Sequence, residues 1–398
     1  MNSSNLNNQT LDPAASGCQP VEALLRFAAG IGATSIHITV GAPPLLRVDG
    51  DLCPIRDLAV PGDDRGQQAA DFIATNSFWE MVVTPAIARR VAAELFARPE
   101  LRERFEQTGT VRFVKSLPGM TRFLVSVFRQ RGNPAVVCRA LGRSVPSLED
   151  VFRHLPEVKE AVERMLATGE GLILVGGPTG SGKAATLAAM VDFINRTSPR
   201  HVITVENPIR YLHRHARGVV NQREVGEDVD NFENGVKSAL YSDADVIVAG
   251  DVPDAGTADA VVVAAETGRL TVCAVRAASA EETVARVARL IPAQESGGPV
   301  CRLAAVLHGV VVQKAICGAD GGRVVAAGVL PAVPPLKDVL LAGDVTRMAA
   351  ILHSGSVDGA FPLERALAKL AATDIIDRAK AECRAGDADL FWRFLKLY

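Results

Sequence analysis

The sequence predicts an α/β protein in two folded parts, and three observations carry that reading. Residues 18–142 mix helical and strand-forming stretches and end in three β-rich runs. From about residue 158, apolar strand-like runs alternate with helical ones, the pattern of a mostly parallel sheet with helices on both faces. At the first junction from strand to helix lies the run Gly177-Pro178-Thr179-Gly180-Ser181-Gly182-Lys183-Ala184.

The elements follow in order. Met1–Gly17 is Asn/Ser-rich and lacks the positive end and apolar core of a secretory signal, so it reads as a disordered lead-in. Val21–Ile31 has helical spacing and leads into a strand over Thr34–Val40. Pro43-Pro44 interrupts it, Leu45–Val48 resumes a strand, and Asp49-Gly50 is a hairpin turn. Pro61–Gln67 reads as a polar loop. Thr84 caps a helix opened by Pro85, and the helical pattern continues to Phe105. Val111–Ser116, Arg122–Phe128 and Ala135–Leu141 complete an antiparallel sheet, closing an N-terminal α+β domain over 18–142.

Residues 143–150 form a linker and 151–330 the α/β core. Its strands are Leu172–Val175, His201–Val205, Asp245–Gly250 and Leu270–Val275; its helices include Val158–Thr168, Ala184–Arg196, 231–240 and Ala255–Thr267. Residues 331–398 are mainly helical. In the last ten residues Phe391, Phe394, Leu395 and Tyr398 share one helical face, suited to docking on the protein's own core or to anchoring a partner.

Composition narrows the function classes. The chain is 48% hydrophobic and 22% charged over 398 residues, which suits two globular domains. A net charge of −2 offers no broad basic surface, so no nucleic-acid partner is expected. The apolar runs Gly171–Gly177 and Val246–Gly250 are far shorter than a bilayer span, so no transmembrane segment is expected. Seven cysteines, an odd number without a C-x-x-C, read as free thiols. His213 and His215 are neighbours, but nothing nearby completes a zinc ligand set.

The glycine-rich run is a phosphate-binding loop. Its pattern builds a nest of backbone N–H groups; Gly177, Gly180 and Gly182 let the backbone approach, and Lys183 reaches the outer phosphates. Phosphate would meet the N-terminus of the following helix. Gly177, Pro178, Thr179, Gly180, Ser181, Gly182, Lys183, Ala184 and Ala185 are therefore the expected contacts to ATP. The last position of the pattern normally carries a hydroxyl that ligates Mg²⁺, and Ala184 puts a methyl group there. Two carboxylates stand at strand ends, Glu206 and Asp251, each placed either to handle water and metal or to cap a helix.

Several motifs then share one resemblance. Pro43-Pro44-Leu45-Leu46-Arg47-Val48-Asp49-Gly50, Phe128-Arg129-Gln130-Arg131-Gly132, Val220-Asn221-Gln222-Arg223-Glu224-Val225 and Ala264-Ala265-Glu266-Thr267-Gly268 occur in the order and spacing of one family. The chain resembles the secretion-type ATPases, most of all the type IV pilus retraction ATPases of the PilT and PilU kind, from about residue 20 to 385. Neither the zinc-type four-cysteine insertion nor the extra N-terminal domain of assembly ATPases is expected here, which favours the retraction branch.

The resemblance implies a PAS-like N-terminal domain, a RecA-like ATPase core and a homo-hexamer, or a mixed hexamer with a paralogous pilus ATPase. It implies a cytoplasmic location, peripheral at the inner membrane, beside the pilus platform protein. It also implies nucleotide between the domains, with Arg122, Arg131 and Arg139 as candidate arginines.

Departures fall on the family's catalytic positions. An acidic box usually reading Glu-Asp-Pro-Ile-Glu is Glu206-Asn207-Pro208-Ile209-Arg210, and a second, usually Gly-Glu-x-Arg-Asp, is Gly250-Asp251-Val252-Pro253-Asp254. Two histidines of a histidine box are Arg269 and Arg276, and an arginine before the second acidic strand is Tyr241. The retraction-associated Ala-Ile-Arg-Asn-Leu-Ile segment reads Pro335-Leu336-Lys337-Asp338-Val339-Leu340. The expectation is nucleotide binding with weak or lost hydrolysis, beside an active paralogue. The alternatives are a non-catalytic regulatory or structural ring subunit and a type II secretion-type or DNA-transfer ATPase.

Overall fold

Period-two burial sets the first sheet: Phe123, Val125 and Val127 are fully buried while Arg122, Leu124 and Ser126 between them are not. The computed structural model describes residues 20–60, 64–142, 144–292, 298–342, 347, 357 and 359–398; the lead-in expected over 1–17 lies outside them. Contacts divide the chain into two units, Met1–Arg143 and Ser144–Tyr398.

The first unit contains α1 (Pro20–Gly30), β1 (Ser35–Ile38), β2 (Leu45–Val48), β3 (Asp51–Pro54), α2 (Ile55–Leu58), α3 (Asp64–Thr75), α4 (Pro85–Leu95), α5 (Pro99–Thr108), β4 (Thr110–Leu117), β5 (Thr121–Gln130) and β6 (Asn133–Ala140). The strands form one antiparallel sheet in the order β3-β2-β1-β6-β5-β4. Asp49 and Gly50 both take positive φ, 51° and 101°, as a tight hairpin between β2 and β3 demands. Trp79, Leu24, Leu25 and Phe123 fill the core, and the Trp79 indole N–H donates to the Pro20 carbonyl at 3.1 Å.

Two readings of this unit need correction. The helical stretch to Phe105 is two helices. Pro99 lacks an N–H and forces Arg98 into an extended conformation (φ −129°, ψ 140°), which ends one helix and starts the next. The Thr84 cap is present, its hydroxyl accepting from the Ile87 N–H at 3.3 Å. The loop expected over Pro61–Gln67 is already helical from Asp64, and 61–63 lie outside the described residues. Only Gly66 and Ala69 of α3 are buried, so its pattern carried little apolar signal.

The second unit contains α6 (Leu148–Val151), α7 (Pro156–Thr168), β7 (Gly171–Gly176), α8 (Lys183–Thr197), β8 (His201–Glu206), β9 (Val219–Glu224), α9 (Phe232–Leu240), β10 (Val246–Ala249), α10 (Ala255–Glu266), β11 (Leu270–Val275), α11 (Ala280–Leu290), α12 (Pro299–Val306), β12 (Leu307–Cys317), β13 (Arg323–Pro331), α13 (Pro334–Leu341), α14 (Leu363–Ala372), α15 (Arg378–Glu382) and α16 (Ala388–Leu395). The sheet runs β13-β12-β7-β11-β10-β8-β9 and is parallel except for the β12–β13 pair. Every residue of β10 and β11 is buried, as a sheet covered on both faces requires. β7, β8, β10 and β11 therefore all end at one edge, where ligands bind in such sheets.

β12 and β13 extend this sheet over a stretch for which no strand was expected. In α16, Leu390 and Phe391 are buried and Phe394 and Leu395 pack against the unit's core, while Tyr398 is half exposed. Among the described residues no helix is long and apolar enough to cross a membrane. Cys138 and Cys273 are buried, whereas Cys317 and Cys383 are exposed. Burial pushes the Cys138 thiol up to about 12 and raises Cys273 as well.

Gly328 lets the chain before α14 cross β13. A Cβ there would stand 2.6 Å from the Leu363 nitrogen and 2.9 Å from the Phe361 oxygen, and backbone cannot swing aside as a side chain can. Phe361 is held there by a reciprocal pair of backbone hydrogen bonds with Val329, both 2.8 Å. Gly328→Ala should therefore destabilise the protein by about 1–3 kcal/mol, read as a lowered urea midpoint with an unchanged slope.

Candidate nucleotide site

The loop between β7 and α8 begins where the Gly177 N–H donates to the Val275 carbonyl at 3.2 Å, tying it to the end of β11. A Cβ on Gly177 would stand 2.3 Å from Ser181 Oγ and 2.7 Å from the Gln313 carbonyl, so only glycine fits. Gly180 and Gly182 take φ of 83° and 97°, a left-handed conformation that favours glycine. The N–H groups of Gly180, Gly182, Lys183 and Ala184 find no acceptor among the described residues. The last two open α8, whose first-turn donors have no intrahelical partner.

Two residues that sequence reasoning missed hold this loop. Gln313 of β12 is fully buried; its Nε2 donates to the Ser181 carbonyl at 2.8 Å and its Oε1 accepts from Thr186 Oγ1 at 2.7 Å. Arg323, at the start of β13, donates from Nη2 to the Gly180 carbonyl at 2.6 Å. The available signal was the amide itself: a polar residue directly after Val310-Val311-Val312 needs buried partners. Lys183 Nζ donates to the Gly177 and Pro178 carbonyls at 2.6 and 3.0 Å. Burial lowers its pKa; Asp251 opposes that shift, while Arg276 and Arg210 add to it.

The two carboxylates have different surroundings, and neither is a helix cap. Glu206 ends β8, and its Oε1 accepts from Thr204 Oγ1 at 2.8 Å and Gln222 Nε2 at 3.0 Å. Burial raises its pKa; those two donors and the Arg210 N–H oppose the shift, and Glu224 adds to it. Asp251 follows β10, but Asp254 caps α10, accepting from the Thr257 N–H at 2.8 Å. Asp251 Oδ2 instead meets Arg276 Nη2 at 2.6 Å, and its Oδ1 accepts from the Val252 N–H at 3.1 Å.

Arg276 and Arg269, alike in sequence, have different tasks because they flank opposite ends of β11. Arg269 donates to the carbonyls of Ala244 at 2.9 Å and Leu240 at 3.0 Å, satisfying the C-terminal end of α9. Tyr241, at that same end, is 91% exposed. Beside Ala184 a cavity of about 50 Å³ is bordered by Leu187, Glu206, Arg210 and His213. Burial depresses the His213 imidazole to about 4, and its Nδ1 finds no partner among the described residues.

The three arginine candidates lie on the first unit. Arg122 on β5 and Arg139 on β6 point away from the core at the same end of the hairpin, since Leu124 pairs with Arg139. Arg131 sits at the opposite tip with φ 48°. Nine residues of strand separate it from Arg122, roughly 30 Å at about 3.3 Å per residue, so the three candidates do not form one cluster on this unit.

Two outcomes are expected. Gln313→Ala strands the Ser181 carbonyl and the Thr186 hydroxyl and should cost about 2–4 kcal/mol, measured by chemical denaturation. Glu206→Gln keeps an oxygen for Thr204 and Gln222 and removes a charge whose burial is unfavourable. A raised carboxyl pKa favours the folded state below the ordinary carboxylate range, and that benefit is lost as pH rises through the folded value. The variant should thus gain more melting temperature over the parent near about pH 7 than near about pH 4.

Residues 103–321 match the family profile described as Type II/IV secretion system protein. The type IV pilus retractation ATPase PilT of Pseudomonas aeruginosa is 32% identical over 364 residues, 91% of this chain and 97% of that one. The type IV pilus ATPase PilU of the same organism is 30% identical over 377 residues, 94% and 91% of the two chains. A crystal structure of the pilus retraction motor PilT with bound ADP superposes with a TM-score of 0.80 at 29% identity, covering 94% of this chain and 99% of that one. The second unit is accordingly a RecA-like ATPase domain preceded by an N-terminal domain. The chain belongs to the Type II/IV secretion system protein family, and within it to the type IV pilus retraction ATPases resembling PilT and PilU.

Proposed function

We propose that this chain is an ATP-binding subunit of a hexameric pilus-retraction motor, with weak hydrolysis, working beside a catalytically intact paralogue at the cytoplasmic face of the inner membrane, next to the platform protein. One contrast supports this reading. The loop keeps N–H groups that have no acceptor among the described residues, and it keeps Lys183, while the carboxylate at the end of β10 is engaged by Arg276 at 2.6 Å. Phosphoryl transfer depends mainly on positioning and charge stabilisation. Lys183 would hold phosphate, and Glu206 would orient water. Asp251 is one methylene shorter than the glutamate usual in this family, and misplacement by about 1 Å can cost roughly 10²-fold in rate. A purely regulatory subunit is the second reading, favoured by the same Asp251–Arg276 pair.

Nucleotide binding and phosphate release by the purified full-length chain test the proposal. Lys183→Ala should abolish ATP binding. Release should be slow in the parent and absent in Glu206→Gln. Brisk release from the isolated parent would overturn the weak-hydrolysis reading, and binding unaffected by Lys183→Ala would overturn the site. No release from the parent, with binding intact, selects the regulatory reading.

A further inference from the structure

A divalent cation does not fit the residues at this loop. Ala184 presents a methyl group at the first turn of α8, where a metal-ligating hydroxyl would stand. Both Asp251 oxygens are engaged, Oδ2 by the Arg276 guanidinium and Oδ1 by the Val252 N–H. A dication brought to Asp251 would meet that guanidinium as a like charge at close range. Glu206 directs Oε1 toward Thr204 and Gln222. Among the described residues no three His, Cys, Asp or Glu side chains gather as a metal group.

The charge a metal would supply is present in another form. Arg276 lies at the carboxyl end of β11, beside the loop tied to Val275. Its side chain is 63% exposed although one Nη is bound to Asp251, so other donors of the guanidinium fork remain accessible. Lys183 and Arg210 contribute further positive charge, and Arg323 reaches the loop at Gly180. Guanidinium is permanently charged and binds phosphate oxygens well, often through two parallel bonds.

We infer that Arg276 takes the part of the divalent cation at this loop, so that the ligand of the site is a metal-free nucleoside polyphosphate. Asp251 then serves as the positioning residue for Arg276. This rests on the nucleotide-binding reading above and adds which ionic form is bound. It also gives slow turnover a second cause. A guanidinium neutralises phosphate charge, but it has no coordination sphere in which to align water and leaving group, as a metal does.

The test is titration of the purified full-length chain with ATP, and separately with ADP, in excess EDTA and in excess MgCl₂. The parent should bind at least as tightly in EDTA as in magnesium. Arg276→Ala should lose about tenfold in affinity in EDTA, Arg276→Lys should lose much less, and thermal melts should report both folded, since the side chain is largely exposed. The triple change Ala184→Ser, Asp251→Glu, Arg276→His should reverse the preference toward magnesium. Binding by the parent that requires magnesium, or an Arg276→Ala variant that binds as the parent does in EDTA, would overturn the inference while leaving the nucleotide reading intact. Binding in neither medium would overturn both.

Discussion

One buried amide constrains the geometry of the second unit. Gln313 spends both ends of its side chain at once, on the Ser181 carbonyl and on the Thr186 hydroxyl. It thereby fixes β12, the glycine loop and the first turn of α8 relative to one another. A fully buried amide is costly unless both ends are paired, so the loop's curvature and the strand's register each support the other. Arg323 adds a second tether from the next strand, at Gly180. The loop's backbone is thus held by residues far along the chain as well as by the local glycine pattern.

One edge of the sheet gathers three ionisable side chains. Parallel strands bring Glu206, Asp251 and Arg276 to the edge where the loop lies. Asp251 faces an arginine, and Glu206 is wrapped by neutral donors in surroundings that favour its protonated form. In phosphate-binding loops generally, backbone N–H groups at a helix N-terminus favour the anion, while placed side chains stabilise the charge that develops during transfer.

The legible part of the sequence was its local part. Gly177–Lys183 marked the loop because its geometry depends on glycine at fixed spacing. Glu206 and Asp251 were found because short apolar strands end directly before or at them. β12 escaped because a near-continuous apolar run has no period by which to separate strand from helix. Gln313, 132 residues from Ser181, escaped because nothing near it in sequence names its partner. The Arg276–Asp251 pairing is likewise a product of strand order: β10 and β11 lie side by side, so the residues after them meet. Arg269 looked equivalent to Arg276 in one dimension and was separated from it by the length of one strand.

The distribution of thiols has a practical side. Cys138 and Cys273 are sealed in the two cores, while Cys317 and Cys383 are open to solvent. Cys317 ends β12, the strand that carries Gln313, and it pairs across the hairpin with Arg323. A maleimide dye attached there would ride on the hairpin whose other arm grips the loop. Its colour or polarisation could follow the loop's surroundings without a label inside the crevice.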